Sequence, residues 1–387
     1  MTTRLAHRLE GIPPTIFTTM SALATRTGAV NLGQGFPDAD GPASVLDAAR
    51  DAIASGANQY APGNGVAALR QAIARHQQRH YGIDLDPDSQ VVVTTGCTEG
   101  IAAALLALVD PGDEVVVLEP YYDSYVAMIQ MAGGVRRPVT LRAPDFRLDP
   151  DELRNAVGPR TRLVLLNSPH NPTGTVLNLR ELRAVADVAL ERDLLVVTDE
   201  VYEHLTFGDH EHVALATLPG MFERTLTLSS AGKSYSVTGW KVGWATGPAA
   251  LVSAVLAASQ WLTFTSGAPL QPAVAHGLDA EPQWPRVLAQ SLEKRRDLLC
   301  DGLASLGLGV RRPEGTYFAL TDISSLGWQD GMEFCLALPE RAGVVAIPTQ
   351  PFHDSRAGDQ LVRWAFCKEV EVIEEGLRRL AAADLSR

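Results

Sequence analysis

The residues best placed to do chemistry gather at strand ends, and one of them is a lysine. Thr225–Leu228 is a short apolar and β-branched alternation that reads as a strand ending at Ser229. Ser230, Ala231 and Gly232 then form a small-residue turn that presents Lys233, and Ser236-Val237-Thr238-Gly239-Trp240 follows. Lysine is mostly a solvated surface residue. A strand, a turn of small residues and a single amine make a poor surface patch. They make a good setting for an amine that is partly desolvated so that it can act as a nucleophile. The chemistry expected of Lys233 is Schiff-base formation.

Other strand ends carry matching groups. In open α/β sheets, ligands bind outside the carboxyl ends of the strands. The strand at 162–166 runs out into Asn167-Ser168-Pro169-His170-Asn171-Pro172-Thr173-Gly174, and that at 194–198 into Asp199-Glu200-Val201-Tyr202. The strand at 90–93 runs into Thr94–Gly100, which opens a helix. Helix N-termini expose unpaired N–H groups and bind anions. Gly96 lets the backbone approach such an anion, and Thr98 adds a hydroxyl. Taken singly, this turn is an ordinary helix cap, Asp199 a cap or a buried ion pair, and Asn171–Gly174 a plain turn. The functional reading of Asp199 is a carboxylate holding a protonated ring nitrogen of a cofactor, with Tyr202 near a ring hydroxyl.

The elements that must position these groups are legible as a rhythm. Near-continuous apolar runs at 91–93, 115–117, 163–166 and 194–197 read as strands covered on both faces. They alternate with helical stretches at 98–109, 124–131 and 179–191, which predicts an α/β fold around a mostly parallel sheet. Further strands are expected at 135–141 and 240–245, and helices at 42–55 and 65–80. After residue 280 a long helix (288–306), short strands (315–320, 344–347, 360–366) and a last helix (372–381) read as a smaller α+β domain. The expected division is an arm at 1–40 with little regular pattern, a large domain at 41–279 and a small domain at 280–387.

Bulk properties exclude some functions. The chain has 387 residues and a net charge of −12, which argues against nonspecific binding to nucleic acid or an anionic membrane. Cys97, Cys300, Cys335 and Cys367 lie far apart, so no zinc site, other metal site or disulfide framework is expected, and a cytoplasmic location is. No signal peptide is visible in the first residues. Val242–Leu278 lacks Asp, Glu, Lys and Arg, yet its glycines and prolines leave no unbroken apolar run of the ~20 residues a membrane span needs. It reads as a segment buried between domains or between subunits.

Together these segments resemble the pyridoxal-phosphate-dependent aminotransferases of fold type I, class I/II. The branch most similar includes kynurenine, glutamine and methionine aminotransferases and actinobacterial N-succinyldiaminopimelate aminotransferases. The matching stretches are Asn31–Pro37, Asn58–Tyr60, Gly96–Glu99, Glu119–Tyr125, Ser168–Gly174, Asp199–Tyr202, Ser229–Gly243, Gly315–Phe318 and Arg363–Lys368. The resemblance implies a seven-stranded sheet in the large domain and a homodimer with shared active sites. It makes Lys233 the residue of the internal aldimine and the proton shuttle, and Asp199 the partner of the pyridine nitrogen. Tyr202 and Asn171 would bond the ring oxygen, and Tyr122, with Tyr121 as a rival, would stack on the ring. The phosphate would lie on Cys97, Thr98, Ser230 and Lys241, with Tyr60 reaching it from the neighbouring subunit. Lys241 stands where many relatives carry arginine. Arg363 would grip the substrate carboxylate, Gly35 would border the substrate, and Phe17, Phe264, Thr265 and Tyr317 would line its side-chain pocket.

The activity implied is ping-pong amino-group transfer between an amino acid and a 2-oxo acid, with β-elimination of cysteine conjugates or cystathionine as the alternative on the same site. A DNA-binding regulator built on such a domain is disfavoured, because about thirty residues precede Asn31, too few for a helix-turn-helix domain by ordinary size. Candidate substrates are N-succinyldiaminopimelate, or glutamine, methionine and aromatic amino acids, since no second arginine is evident for a dicarboxylate side chain.

Overall fold

In the computed structural model, which describes residues 5–387, the apolar runs at 91–93, 115–118 and 163–166 are buried throughout, as are Val196 and Val197. They belong to a seven-stranded sheet in which Val91–Thr95 is an edge strand. Its strands, in spatial order, are Val91–Thr95, Val242–Thr246, Thr225–Ser230, Leu195–Asp199, Thr161–Asn167, Glu114–Glu119 and Val135–Thr140. Val242–Thr246 is antiparallel to both neighbours and every other pairing is parallel. This is the expected α/β architecture, with helices packed on both faces so that the backbone bonds inside the sheet and side chains of both faces leave water.

A consequence of this order is that the carboxyl ends of Val91–Thr95, Thr161–Asn167, Leu195–Asp199 and Thr225–Ser230 share one edge. The antiparallel strand begins at that same edge, because Val242 pairs with Thr95 and Gly243 with both Thr94 and Ser230. Thr95 therefore opens the helix Gly96–Leu108 beside the residue that precedes Val242, which is Lys241.

A second, four-stranded antiparallel sheet runs Ile347–Pro348, Leu361–Ala365, Phe318–Asp322, Gly309–Arg311. Val30–Asn31 pairs in parallel with Val344–Val345, which ties the N-terminal arm to this half of the chain. The long helix Trp284–Ser305 and the last helix Val370–Ala382 pack against one another beside it.

Several local expectations differ from the structure. The arm contains a helix, Ile16–Thr27, whose buried residues Ile16, Met20, Leu23 and Ala24 recur at helical spacing and whose end is set by Gly28 in the left-handed region. The strand expected at 240–245 starts only at Val242; Thr238–Trp240 is a 3-10 turn, and Lys241 has φ +55°. The strand expected at 315–320 starts at Phe318, and that at 344–347 is two pieces belonging to different sheets. Helix Gly331–Ala342 is additional, with Pro339 inside it. The charge-free stretch carries helices Ala249–Leu262 and Leu270–Ala280. It is not wholly buried in the single chain, since Trp261 is 84% exposed. Among the described residues no helix is long and apolar enough to cross a membrane.

Candidate active site

The shared sheet edge opens into a cavity of about 820 Å³. Lys233, Asp199, Tyr202, Asn171, Tyr122, Gly96, Cys97, Thr98, Ser230, Lys241, Gly35, Phe17 and Arg363 all line it. Parallel strands deliver their ends to one side, and the arm and the second sheet close the cavity over them with Phe17, Gly35 and Arg363.

Lys233 sits in the four-residue helix Ala231–Ser234 directly after the strand Thr225–Ser230. Its ammonium nitrogen lies 5.5 Å from the Tyr317 ring centre and 5.8 Å from that of Tyr202. Burial pushes the amine down to about 8, against partial opposition from Cys367 and Asp199. Desolvation penalises the charged form of an amine and so favours the neutral nucleophile.

Asp199 ends the adjacent strand and is buried. The Tyr125 hydroxyl donates to its Oδ2 at 2.5 Å, and the Val201 N–H donates to its Oδ1 at 3.3 Å. Burial raises its pKa despite these bonds, so a cation brought to it from the cavity would relieve an uncompensated charge. Burial beside Asp199 raises the Cys97 thiol well above its ordinary value and holds it protonated.

That turn is built for close approach. Gly96 has φ +70°, and a Cβ there would stand 2.9 Å from Lys241 Nζ. A Cβ on Gly243 would lie 2.5 Å from the carbonyl carbon of Gly96 and 2.6 Å from the Cys97 nitrogen. The Lys241 ammonium donates to Thr98 Oγ1 at 3.3 Å. N–H groups of a helix start, a hydroxyl, Ser230 and a lysine converge there, which is an anion-binding set.

Arg363 is central in its strand, paired with Leu320 on one side and Ile347 on the other, and is 1% exposed. Its Nη1 donates to Asn171 Oδ1 at 3.1 Å and its Nη2 to the Gly33 carbonyl at 3.0 Å, while its Nε is buried without a partner. The guanidinium stacks 3.8 Å over the Phe318 ring and 4.7 Å from that of Phe17. Burial lowers its pKa to about 10. Among the described residues no carboxylate forms an ion pair with it. A buried fork of donors held only by neutral acceptors is set to receive a carboxylate.

Some sequence expectations meet the cavity differently. Tyr317 is fully buried, with its hydroxyl donating to the Gly35 carbonyl at 2.6 Å, and its neighbour Phe318 faces the cavity instead. Tyr121 and Tyr122 both line it, but Tyr121 is anchored at the rim by its hydrogen bond to Asp354 at 2.8 Å. Tyr60 and Phe264 do not line it. They form an edge-to-face pair at 5.2 Å on the outer surface, 85% and 50% exposed, and Thr265 lies beside them, bonded to the Pro62 carbonyl.

Sequence reading missed Tyr125, although it stands three residues after Tyr122 and so one helical turn away. It also missed Gly11–Ile16, an apolar wall supplied by the arm, and the Arg136–Asp354 pair at the rim, joined by bonds of 2.6 and 2.7 Å.

Comparison with known proteins accords with this geometry. The sequence pattern described as aminotransferase class I and II matches residues 27–380. The chain is 53% identical over 386 residues to a probable N-succinyldiaminopimelate aminotransferase of Mycobacterium tuberculosis, covering 97% of each chain. It is 41% identical over 373 residues to a methionine aminotransferase of Escherichia coli, covering 96% of this chain and 97% of that one. A solved structure of N-succinyldiaminopimelate aminotransferase from Mycobacterium tuberculosis superposes with a TM-score of 0.96, covering 98% of this chain and all of the other.

Proposed function

This chain belongs to the class I and II aminotransferase family and transfers amino groups, and we propose that it does so with pyridoxal phosphate on Lys233, acting on N-succinyldiaminopimelate. The observation that carries the site assignment is the pairing, in one cavity, of a lysine with a depressed pKa and a buried arginine that lacks a carboxylate partner. An amino acid offers an amine to the first and a carboxylate to the second.

The residues fit the cofactor at both of its ends. Glycines at 96 and 243 clear space that a Cβ would fill, around the N–H groups, Thr98, Ser230 and Lys241 that would hold a phosphate. At the other end, Asp199 is a buried acid whose charge a protonated pyridine nitrogen would balance. Asn171 and Tyr202 would bond the ring hydroxyl, and Tyr122 would cover a face of the ring. When bound, pyridoxal phosphate supplies an aldehyde that condenses with amines and a ring that accepts the electrons of the breaking Cα–H bond.

The chain's own residues do the rest. Arg363 grips the α-carboxylate and, with Asn171 and Gly35, fixes which face of the substrate meets Lys233. Lys233 Nζ takes the proton from the substrate Cα and holds it for delivery at a second position, a general-base and general-acid role for which an amine near neutrality is suited. Phe17 and Phe318, packed on the guanidinium, exclude water around Arg363 and so strengthen its hold.

The N-succinyldiaminopimelate reading rests on the 53% likeness over nearly all of both chains. The methionine aminotransferase likeness supports a second reading, a large neutral amino donor. Purified protein offered a panel of amino donors with several 2-oxo acids decides between them. Transfer from methionine or an aromatic amino acid, with none from N-succinyldiaminopimelate, overturns the first reading.

The division into an arm (1–40), a large domain (41–279) and a small domain (280–387) is part of the same proposal, supported by the two separate main sheets. So are a homodimer, supported by the exposed apolar surface at Tyr60, Trp261, Leu262 and Phe264, and a cytoplasmic setting, supported by four free, buried cysteines.

A further inference from the structure

Behind the sheet edge that carries Asp199 and Tyr202 lies a cluster the transfer reaction does not use. Helix Ala67–Tyr81 presents His76 and His80, four residues apart and so on one face. The turn after Leu195–Asp199 brings His204 against them. The three ring centres form a nearly equilateral triangle, with sides of 4.6, 4.7 and 4.9 Å. One ring nitrogen from each lies within 4.8 Å of the other two. His76 Nε2 is 2.7 Å from His204 Nε2, and His76 Nδ1 is buried with no hydrogen-bond partner.

We propose that His76, His80 and His204 form a binding site for one borderline-soft divalent transition metal ion, zinc(II) or a close analogue. Three imidazoles bound to one tetrahedral ion at about 2.0–2.1 Å place their ring centres roughly 5 Å apart, which is the size of this triangle. The two facing Nε2 atoms need to part by about half an ångström to reach the spacing of ligands on one such ion. Imidazole nitrogen suits zinc, nickel and copper, whereas magnesium and calcium prefer oxygen.

The surroundings complete the site. Burial holds His76 and His204 in the neutral form, the form that ligates. Glu203, adjacent to His204, accepts hydrogen bonds from the hydroxyls of Tyr81 and Ser229 and places a carboxylate beside the cluster. His80 is exposed and His204 half-buried, so the site opens to solvent for entry and for a water as a fourth ligand. Sequence reading expects no metal because it looks to cysteine spacing; this set instead joins a helical i, i+4 pair to a histidine 124 positions beyond His80. A bound ion would strap helix Ala67–Tyr81 to the segment that begins with Asp199 and Tyr202. It stands apart from the aminotransferase reading and survives that reading's failure.

The test is calorimetric titration of zinc chloride into the full-length, chelator-treated, cofactor-loaded protein, with cobalt(II) as a spectroscopic probe. One zinc ion per chain is expected, together with the visible absorption of four-coordinate cobalt. His80→Ala and His204→Gln should each weaken zinc binding by at least tenfold and abolish the zinc-dependent rise in melting temperature. Because His80 is exposed, His80→Ala should melt, metal-free, close to the parent, and His80→Gln serves as its conservative check. Absence of stoichiometric binding overturns the proposal, as does binding that is unchanged in the His80 variants.

Discussion

Arg363 and Asn171 are joined by a 3.1 Å hydrogen bond that links the second sheet to the loop after Thr161–Asn167. It is a bond between a cation and a neutral oxygen, deep in the protein, and it leaves the charge of Arg363 unneutralised. The same Asn171 is held from behind, its N–H donating to Asn167 Oδ1 at 2.8 Å. The site is thus arranged so that the missing anion arrives with the substrate.

Arg363→Lys tests that arrangement. Lysine keeps the charge and loses the planar fork, so one of two charge-assisted hydrogen bonds to the substrate carboxylate is lost. At about 1.5–3 kcal/mol for such a bond, kcat/KM should fall by roughly 10–150-fold. Steady-state kinetics with the preferred amino donor measures it. A change smaller than threefold removes Arg363 from the site.

Lys233 should show its depressed pKa in the way the cofactor-free chain captures pyridoxal phosphate. Capture needs the neutral amine. At pH 7 a group with a pKa near 8 is roughly 10% neutral, against less than roughly 0.1% for an ordinary lysine. The capture rate, followed by visible absorbance, should therefore climb as pH rises through about 8 and level off above it. A rate still climbing at about pH 10, as for an unperturbed lysine, contradicts the burial argument. Lys233→Ala should show no such chromophore and lose essentially all transfer activity.

Asp199→Asn separates stability from function. Asp199 has its folded pKa raised by burial, so the folded chain holds that proton more tightly than the unfolded chain. Stability is then lost as pH rises from the unfolded carboxyl value through the raised folded one. At neutral pH, above the unfolded carboxyl value, the group is a cost in the cofactor-free protein. Asparagine removes that cost, keeps one oxygen to accept from the Val201 N–H, and turns its NH2 to the Tyr125 hydroxyl oxygen, which can accept as well as donate. The cofactor-free variant should melt higher at pH 7 than the parent, while its turnover drops by several orders of magnitude. Equal melting temperatures, or unimpaired turnover, would show that Asp199 is an ordinary structural acid.

Gly243→Ala probes the anion turn from outside it. The added methyl would meet the backbone of Gly96 and Cys97, which cannot swing away as a side chain can. Overpacking of this kind costs about 1–3 kcal/mol, and here the strain falls on the N–H groups proposed to hold the phosphate. Both the melting temperature and the affinity for pyridoxal phosphate should fall, the latter by tenfold or more in a direct titration. Unchanged affinity places the phosphate elsewhere.

How much of this was legible in the sequence follows from the range of the interactions. Val91–Val93 and Leu163–Leu166 announce strands because burial on both faces leaves an unbroken apolar run, and the polar residues that end such runs line the cavity. What escaped depends on geometry that spacing does not encode. Tyr317 and Phe318 are neighbours, and a strand starting at Phe318 decides which one faces the cavity; a shift of one residue exchanges the faces. Alternation places Lys241 in a strand, whereas its left-handed backbone is what turns it toward Gly96. Pro339 inside helix Gly331–Ala342 masks it, because an interior proline reads as a helix breaker. The helix at 16–27 was hidden by the two prolines before it and by its threonines, though its apolar spacing was present.

Tyr60, Trp261, Leu262 and Phe264 carry the last prediction. Tyr60 and Trp261 are 85% and 84% exposed, and Tyr60 packs on Phe264 across an outer face that includes part of the charge-free stretch 242–278. Large aromatic side chains with no charge among them are costly to leave in water and are typical anchors of an interface. If a second copy covers this face, Trp261→Glu buries a charge against an apolar partner and should weaken association by about a hundredfold or more. Sedimentation velocity across a concentration series should show a dimer for the parent and a monomer at the same concentrations for the variant. Activity should fall with association, because Tyr60 lies outside the cavity of its own chain and can serve a phosphate only across the interface. A parent protein that sediments as an active monomer removes both the dimer and the role of Tyr60.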